Sequence, residues 1–286
     1  MGGTKVTGRA EKIMEDIRQN KGWEGHLKHR GWKTVQVKAS DGRHTMQAFV
    51  LRLGWWPFSM MKIQRSNYDP DFEELKRLKR KYWVANSIIE PQRVQNPEAF
   101  RRAGYYLTRF PYLAMSSYIN DLTKSEKELW GGLSNNAKRL IDKNARIIIE
   151  EAEPKKFCEL WKKSSKIWIM KPDEVENLIK SFKGKVRLVM SRMGDEYHSG
   201  LMIVYSRDTA NYYMTWTSEA GRKSGAHYKL VWNEMLRAKK MGLKYWDFEG
   251  VFDPRWPQKR WKGFTEFKRR FGGRLVQFPG GFFRWL

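Results

Sequence analysis

Residues 186–248 constrain the fold more than any other stretch. Apolar and polar residues alternate over 186–192, 198–205 and 211–217, which predicts three strands in a meander. The period then lengthens to that of a helix over 226–241, Gly242 stops it, and 243–248 reads as a further strand. A meander followed by a helix and another strand requires a sheet with the helix laid across it, which places the chain in the α+β class.

The same order occurs earlier with a different sequence. Strands are expected over 32–39 and 44–53, joined by the turn Ser40-Asp41-Gly42-Arg43, and again over 58–64. A charged helix over 70–81 and an apolar strand over 82–90 follow. Between the two halves, a strand is expected over 112–119 and a short one over 147–150, with helices over 135–146, 154–169 and 173–182. A helix over 9–20 precedes the first half. A chain of 286 residues has room for two such units. The expected division is 1–152 and 153–273, with residues 274–286 returning to the first unit as a last strand. No low-complexity linker separates the halves, so a large shared interface is expected.

Lys and Arg number 56 against 31 Asp and Glu, a net charge of +25. Such a field draws nucleic acid, nucleotide phosphate or anionic lipid. The single cysteine, Cys158, excludes a disulfide framework within the chain and fits a reducing compartment. No early apolar core of a signal peptide and no run long enough to span a bilayer is present, so a cytoplasmic location is expected. The five histidines share no metal-ligand spacing with the cysteine.

The C-terminal third carries the most specific pattern. Tyr245-Trp246-Asp247-Phe248-Glu249-Gly250 reads as a buried strand ending in a carboxylate and a glycine. After it, Gly263-Phe264-Thr265-Glu266-Phe267-Lys268-Arg269-Arg270-Phe271-Gly272-Gly273 reads as a basic aromatic helix stopped by glycines. Asp121-Leu122 with Ser125-Glu126-Lys127-Glu128-Leu129-Trp130, the basic run 138–145 and 213–218 stand upstream in order. Together these resemble the Fem-type peptidyl transferases, over roughly residues 121–273. The resemblance implies two tandem GNAT-type N-acyltransferase-like domains, with mostly antiparallel central sheets flanked by helices. It also implies transfer of an amino acid from aminoacyl-tRNA to an amine of a peptidoglycan precursor.

That reaction is aminolysis of an ester, which needs positioning and oxyanion stabilisation but no enzyme nucleophile and no cofactor. By resemblance, Lys268 would meet the oxyanion or the terminal phosphate of the tRNA, and Phe267 would pack beside the terminal adenosine. Lys28, Arg65, Lys171, Tyr213 and Asp247 would serve the acceptor, a UDP-linked or lipid-linked muramyl peptide. Lys138, Arg139, Lys143, Arg146, Lys259, Arg260 and Arg269 would hold the tRNA backbone through phosphate contacts. The pattern departs from the family at Glu249, where a second glycine is usual, at Val175, where a tyrosine is usual, and after Arg65, where a Pro-Arg-Gly-Pro turn is common.

Two alternatives stay open on sequence. Arg222-Lys223-Ser224-Gly225-Ala226-His227 approaches the pyrophosphate loop of acyl-CoA-dependent N-acyltransferases but fails at its last position. A non-catalytic RNA-binding module would share the basic surface. Trp55-Trp56-Pro57-Phe58 and residues 282–286 are apolar aromatic patches near cations, suited to peripheral contact with the inner membrane surface. A monomer is expected.

Overall fold

The computed structural model describes residues 14–164 and 169–285. The expected helices over 9–20 and 154–169 therefore lie partly outside the described residues.

The first half opens with a 3-10 turn, Ile17–Gln19, and helix α1 (Lys21–His29). One continuous helix to Asn20 was expected, but Asn20 is extended and its side chain accepts from Gly22 N, so it starts a new helix instead. Strands β1 (Lys33–Lys38), β2 (Thr45–Arg52) and β3 (Ser59–Gln64) follow. Helix α2 (Phe72–Lys81) is capped by Asp71, with Glu73 and Glu74 at its positive end and Lys79, Arg80 and Lys81 at its negative end. Then come β4 (Val84–Glu90), α3 (Pro97–Arg102) and β5 (Tyr106–Leu107).

Next are β6 (Ser116–Asp121), α4 (Glu126–Gly131) under a Ser125–Glu128 capping box, and α5 (Asn135–Lys143). β7 (Ile148–Glu151), α6 (Pro154–Ser164) and α7 (Pro172–Ser181) lead to the meander β8 (Val186–Met193), β9 (Glu196–Tyr205) and β10 (Thr209–Thr217). Helices α8 (Glu219–Ser224) and α9 (Ala226–Lys240) cross to β11 (Tyr245–Gly250), and α10 (Lys262–Arg269), β12 (Arg274–Gln277) and β13 (Phe282–Trp285) close the chain.

Two sheets result, ordered β1-β2-β3-β4-β13-β5 and β12-β6-β11-β10-β9-β8-β7. Each contains three antiparallel strands, a helical crossover and a parallel fourth strand. The parallel pairs are β3 with β4 and β10 with β11. The next position in each sheet is taken by a strand from elsewhere: β13 lies beside β4, and β6 beside β11.

This exchange corrects two expectations. Only β13 reaches the first sheet, where Phe282 pairs with Ile89; β12 stays in the second, with Arg274 opposite Ile119. The cause is local. Gly272 and Gly273 take φ of +73° and +83°, and a Cβ at Gly273 would stand 2.8 Å from the Ile119 carbonyl oxygen. Only glycine allows that left-handed close approach, which turns the chain from α10 onto β6. Sheet membership also divides the chain between β5 and β6, well before residue 152, because β6 and β7 both belong to the second sheet. The segment over 112–119 spends its first residues as a loop and pairs only from Ser116.

The halves share a core. Ile17, Trp23, Leu27 and Phe49 from the first pack with Phe157, Val175, Leu178 and Phe182 from the second. Helix α1 lies so close to this layer that a Cβ on Gly22 would meet the Phe182 ring at 2.6 Å. Among the described residues no helix is long and apolar enough to cross a membrane.

Candidate active site

The end of β11 is irregular. Its register with β6 breaks between Asp247 and Gly250, and Glu249 has a φ of +54°. A non-glycine residue in that region is strained and held there by its partners. Here the partner is Arg18, which grips the Glu249 carboxylate through two nitrogens at 2.8 and 3.3 Å. The same guanidinium donates to Asp16 at 3.0 Å, and Asp16 lies 3.9 Å from Arg65. Arg65, itself at φ +52°, stacks on Phe278 with 3.5 Å from its guanidinium carbon to the ring centroid and donates to the Ala114 carbonyl.

Asp247 lies one pleat inward. Its Oδ1 accepts from the Ser117 hydroxyl and from Glu249 N, the latter at 2.7 Å. From the facing helix α10, Lys268 donates to the Gly250 carbonyl at 2.7 Å and to the Glu249 carbonyl at 3.4 Å. Its ammonium also lies 5.0 Å from the Phe264 ring and 5.3 Å from the Tyr212 ring.

These charges sit out of water, and burial dominates their titration. It lowers Lys268 to about 8, against the raising effect of Glu249 and Asp247. It raises Asp247 to about 7, helped by the Glu249 charge. Burial also works against ionising Glu249, but Arg18 outweighs it and holds that carboxylate below its usual range. The network thus keeps one carboxylate firmly ionised and its neighbour near the midpoint of titration at neutral pH. Beside it, a cavity of about 200 Å³ between the halves is lined by Asp16, Asn211, Asp247, Arg274 and Phe278 among others.

The expected site residues fall into three places. Arg65, Asp247 and Lys268 belong to this network, and Tyr213 stands within electrostatic reach of both Arg18–Glu249 and Arg30–Glu174, with burial raising its phenol to about 12. Lys28 and Lys171 are exposed at a second corner, where the end of α1 meets the start of α7 through Arg30–Glu174 and His29–Asp173. The basic residues form the third. Arg139, Lys143 and Arg146 are exposed on and after α5, while Lys138 is half-buried and reaches the Gly131 carbonyl. Lys259 and Arg260 are exposed in the 3-10 turn that precedes α10, and Arg269, paired with Glu266, is the last residue of that helix. Ser134 N donates to the Arg270 carbonyl, so α10 abuts the start of α5.

Phe267 is half-buried. Its ring packs against His227, Tyr228 and Phe271 at centroid distances of 4.7–5.2 Å, as part of the wall beneath α9. Helix α10 is amphipathic at a period that turns Phe267 and Lys268 to different neighbours. Sequence reasoning missed Asp16, Arg18 and Ser117. Asp16 and Arg18 lie in a segment read as one helix, and nothing local marks them as partners of a carboxylate more than 200 residues away.

The run 222–227 is not an open phosphate-binding turn. Residues 219–224 form α8, Arg222 bonds the Thr217 carbonyl, and His227 turns inward to the Tyr212 hydroxyl at 2.7 Å. A Cβ on Gly221 would strike the His198 carbonyl at 2.0 Å, so α8 is seated directly on β9.

Residues 155–269 match the acetyltransferase (GNAT) domain family. By structure, the chain resembles FemX with a TM-score of 0.77 and 13% identity, over 95% of this chain and 92% of that one. The fold is a tandem GNAT-like one. The C-terminal domain (DUF2156) of a putative lysylphosphatidylglycerol synthetase from Agrobacterium fabrum gives 0.59 at 12% identity, over 93% of this chain and 88% of that one. A tandem GNAT protein from the clavulanic acid biosynthesis pathway gives 0.53 at 10%, over 84% and 78%. Comparison by sequence with curated proteins finds no match. Residues 155–269, from the start of α6 to the end of α10, thus match an acetyltransferase (GNAT) domain by sequence, and the whole chain shares its fold with FemX.

Proposed function

We propose that this chain transfers an amino acid from aminoacyl-tRNA to an amine of a peptidoglycan-precursor stem peptide. The observation that carries the reading is the buried ammonium of Lys268. Two backbone carbonyls orient it and two aromatic rings wall it in, at a strand end that also bears a carboxylate near neutrality. Two acceptors leave one of its three N–H groups for a developing oxyanion. Such donors act most strongly where water is excluded.

In the proposed reaction the acceptor nitrogen forms a bond to the ester carbonyl carbon. The bond from that carbon to the ribose oxygen breaks, and one proton passes from nitrogen to the departing oxygen. Asp247 is suited to hold that proton in transit, being neither firmly acid nor firmly ionised. The ester is already activated, so the step as proposed requires no cofactor. The helical seating of residues 219–224 supports an ester donor over an acyl-CoA. Lys28 and Lys171 would take the phosphates of the acceptor, and the cations on α5 and at the ends of α10 would take the tRNA backbone.

The test incubates the purified protein with labelled aminoacyl-tRNAs and a lysine-containing UDP-linked or lipid-linked muramyl pentapeptide, with Lys268→Met alongside. Label entering the peptide, and lost in the variant, is the expected result. Transfer unaffected by Lys268→Met, or tight tRNA binding with no transfer to either acceptor, overturns the reading.

A further inference from the structure

A second cavity, of about 380 Å³, lies in the first half, away from this network. It opens between α2 and the starts of β3 and β4, with walls of Phe58, Phe72, Leu75 and Val84. The cations lining it are Lys76, Lys79, Arg80 and Arg284, and no carboxylate lines it. Lys79 is 8% exposed, and among the described residues the only charge acting on it is Arg284, with no carboxylate partner. It faces the Tyr105 ring at 5.7 Å, and burial together with Arg284 brings it down to about 8. A buried cation without a counter-charge is costly, so it marks a place where an anion belongs.

The surroundings say which anion. The β2–β3 turn, the start of β4 and the end of β13 meet at one end of the first sheet, since Ser59 pairs with Val84 and Trp285 with Asn86. That end carries Trp55, Trp56, Trp83 and Trp285, exposed by 84, 53, 63 and 67%. Tyr106 and Leu107 extend the apolar surface along the open edge strand. Residues 75–89 beside it hold five Lys or Arg and no Asp or Glu. Exposed tryptophans with adjacent cations suit the interfacial layer of a bilayer, where an aromatic ring sits among headgroups and cations meet lipid phosphates.

We propose that this end of the first half docks on an anionic lipid bilayer, with the phosphate of one lipid on Lys79 and Arg284 and the start of its acyl chain in the cavity. An apolar cavity is of no use to an RNA backbone, which favours lipid over a second nucleic-acid surface. The inference does not depend on the transfer reaction proposed above, because it uses different residues and a different readout.

The full chain is sedimented with phosphatidylcholine vesicles containing or lacking phosphatidylglycerol. Association with the anionic vesicles, weakened by salt and reduced ~tenfold or more by Trp55→Ser, Trp56→Ser and Trp285→Ser combined, is expected for interfacial anchoring. All three positions are exposed, and unchanged thermal unfolding would verify that the variant folds. For the cavity, dodecyl phosphate should raise the melting temperature of the wild type and not of Lys79→Gln, while dodecyl maltoside raises neither. Absence of vesicle association, or association that the tryptophan variant leaves intact, overturns the docking face. Loss of tRNA binding instead of vesicle binding in that variant makes it an RNA surface and overturns the proposal too. A response to dodecyl phosphate that survives Lys79→Gln removes the lipid phosphate from that lysine.

Discussion

Lys268 and Lys79 are both buried lysines, one in each half, and burial brings each down to about 8. Their surroundings differ. Lys268 rests on two backbone carbonyls with Glu249 and Asp247 nearby, whereas Lys79 faces a ring and another cation. The crossover helices differ in the same sense. Nine residues of α9 are buried in the second half, and only Leu75 and Lys79 of α2 in the first. One plan, used twice, yields a half closed under its helix, with a charge network at its seam with the other, and a half left open beside its helix. The closed half offers precision at the cost of tolerance; the open half offers surface.

The comparison can be broken at several points. The largest effect is expected at the seam itself. Arg18→Met leaves Glu249 buried and unpaired and should cost ~3–5 kcal/mol in urea unfolding. Glu249→Gln added to it should recover most of that loss, and a double variant no more stable than the single would show that Arg18 acts through packing instead. Next is Lys268→Met, expected to lower transfer about 10²–10³-fold, as for loss of an oxyanion donor, with little change in tRNA affinity.

Packing gives the third contrast. Leu230 and Leu75 are almost wholly buried, but Leu230 is enclosed under α9 while Leu75 borders the open cavity. Leu230→Ala should cost ~4 kcal/mol and Leu75→Ala ~2, since a site already open to solvent leaves less empty volume behind. Equal costs would mean that the cavity is closed in solution.

The last contrast is in pH. Asp247 is raised from its ordinary value to about 7, so the folded state holds its proton where the unfolded state has lost it. Its contribution is present below about pH 4 and is lost as pH climbs to about 7. Lys268 is lowered to about 8, so the unfolded state binds the extra proton between there and 10.5, and stability recovers over that range. Asp247→Asn should therefore flatten the acid-side slope of the unfolding midpoint, and Lys268→Met the alkaline side. A slope unchanged by either would place those titrations outside the network.

Much of the architecture was legible because long apolar periods decide it. The meander, α9 and the strand ending at Gly250 declare themselves by alternation, by a 3.6-residue period and by Gly242. Strand membership at the C-terminus was not legible, because residues 274–278 read as a strand whichever sheet receives them, and only the turn at Gly272-Gly273 decides. Lys268 could be singled out by its motif. Its partners are backbone carbonyls, which carry no residue identity, and the Arg18–Glu249 pair joins segments whose local patterns say nothing of one another. Phe267 shows the converse: its motif is legible, but the helix face it occupies is set by Tyr228 and Phe271 across the core.

The exchange of strands has a consequence for how the protein is made. The first sheet holds β13 between β4 and β5, pairing Phe282 with both Ile89 and Leu107. A growing chain therefore has most of that sheet in hand early but lacks its inner strand, and contacts of such long sequence separation form slowly. Until residue 285 emerges, the facing edges of β4 and β5 stay unpaired and open to other chains. The half that is synthesised first is the half that is completed last.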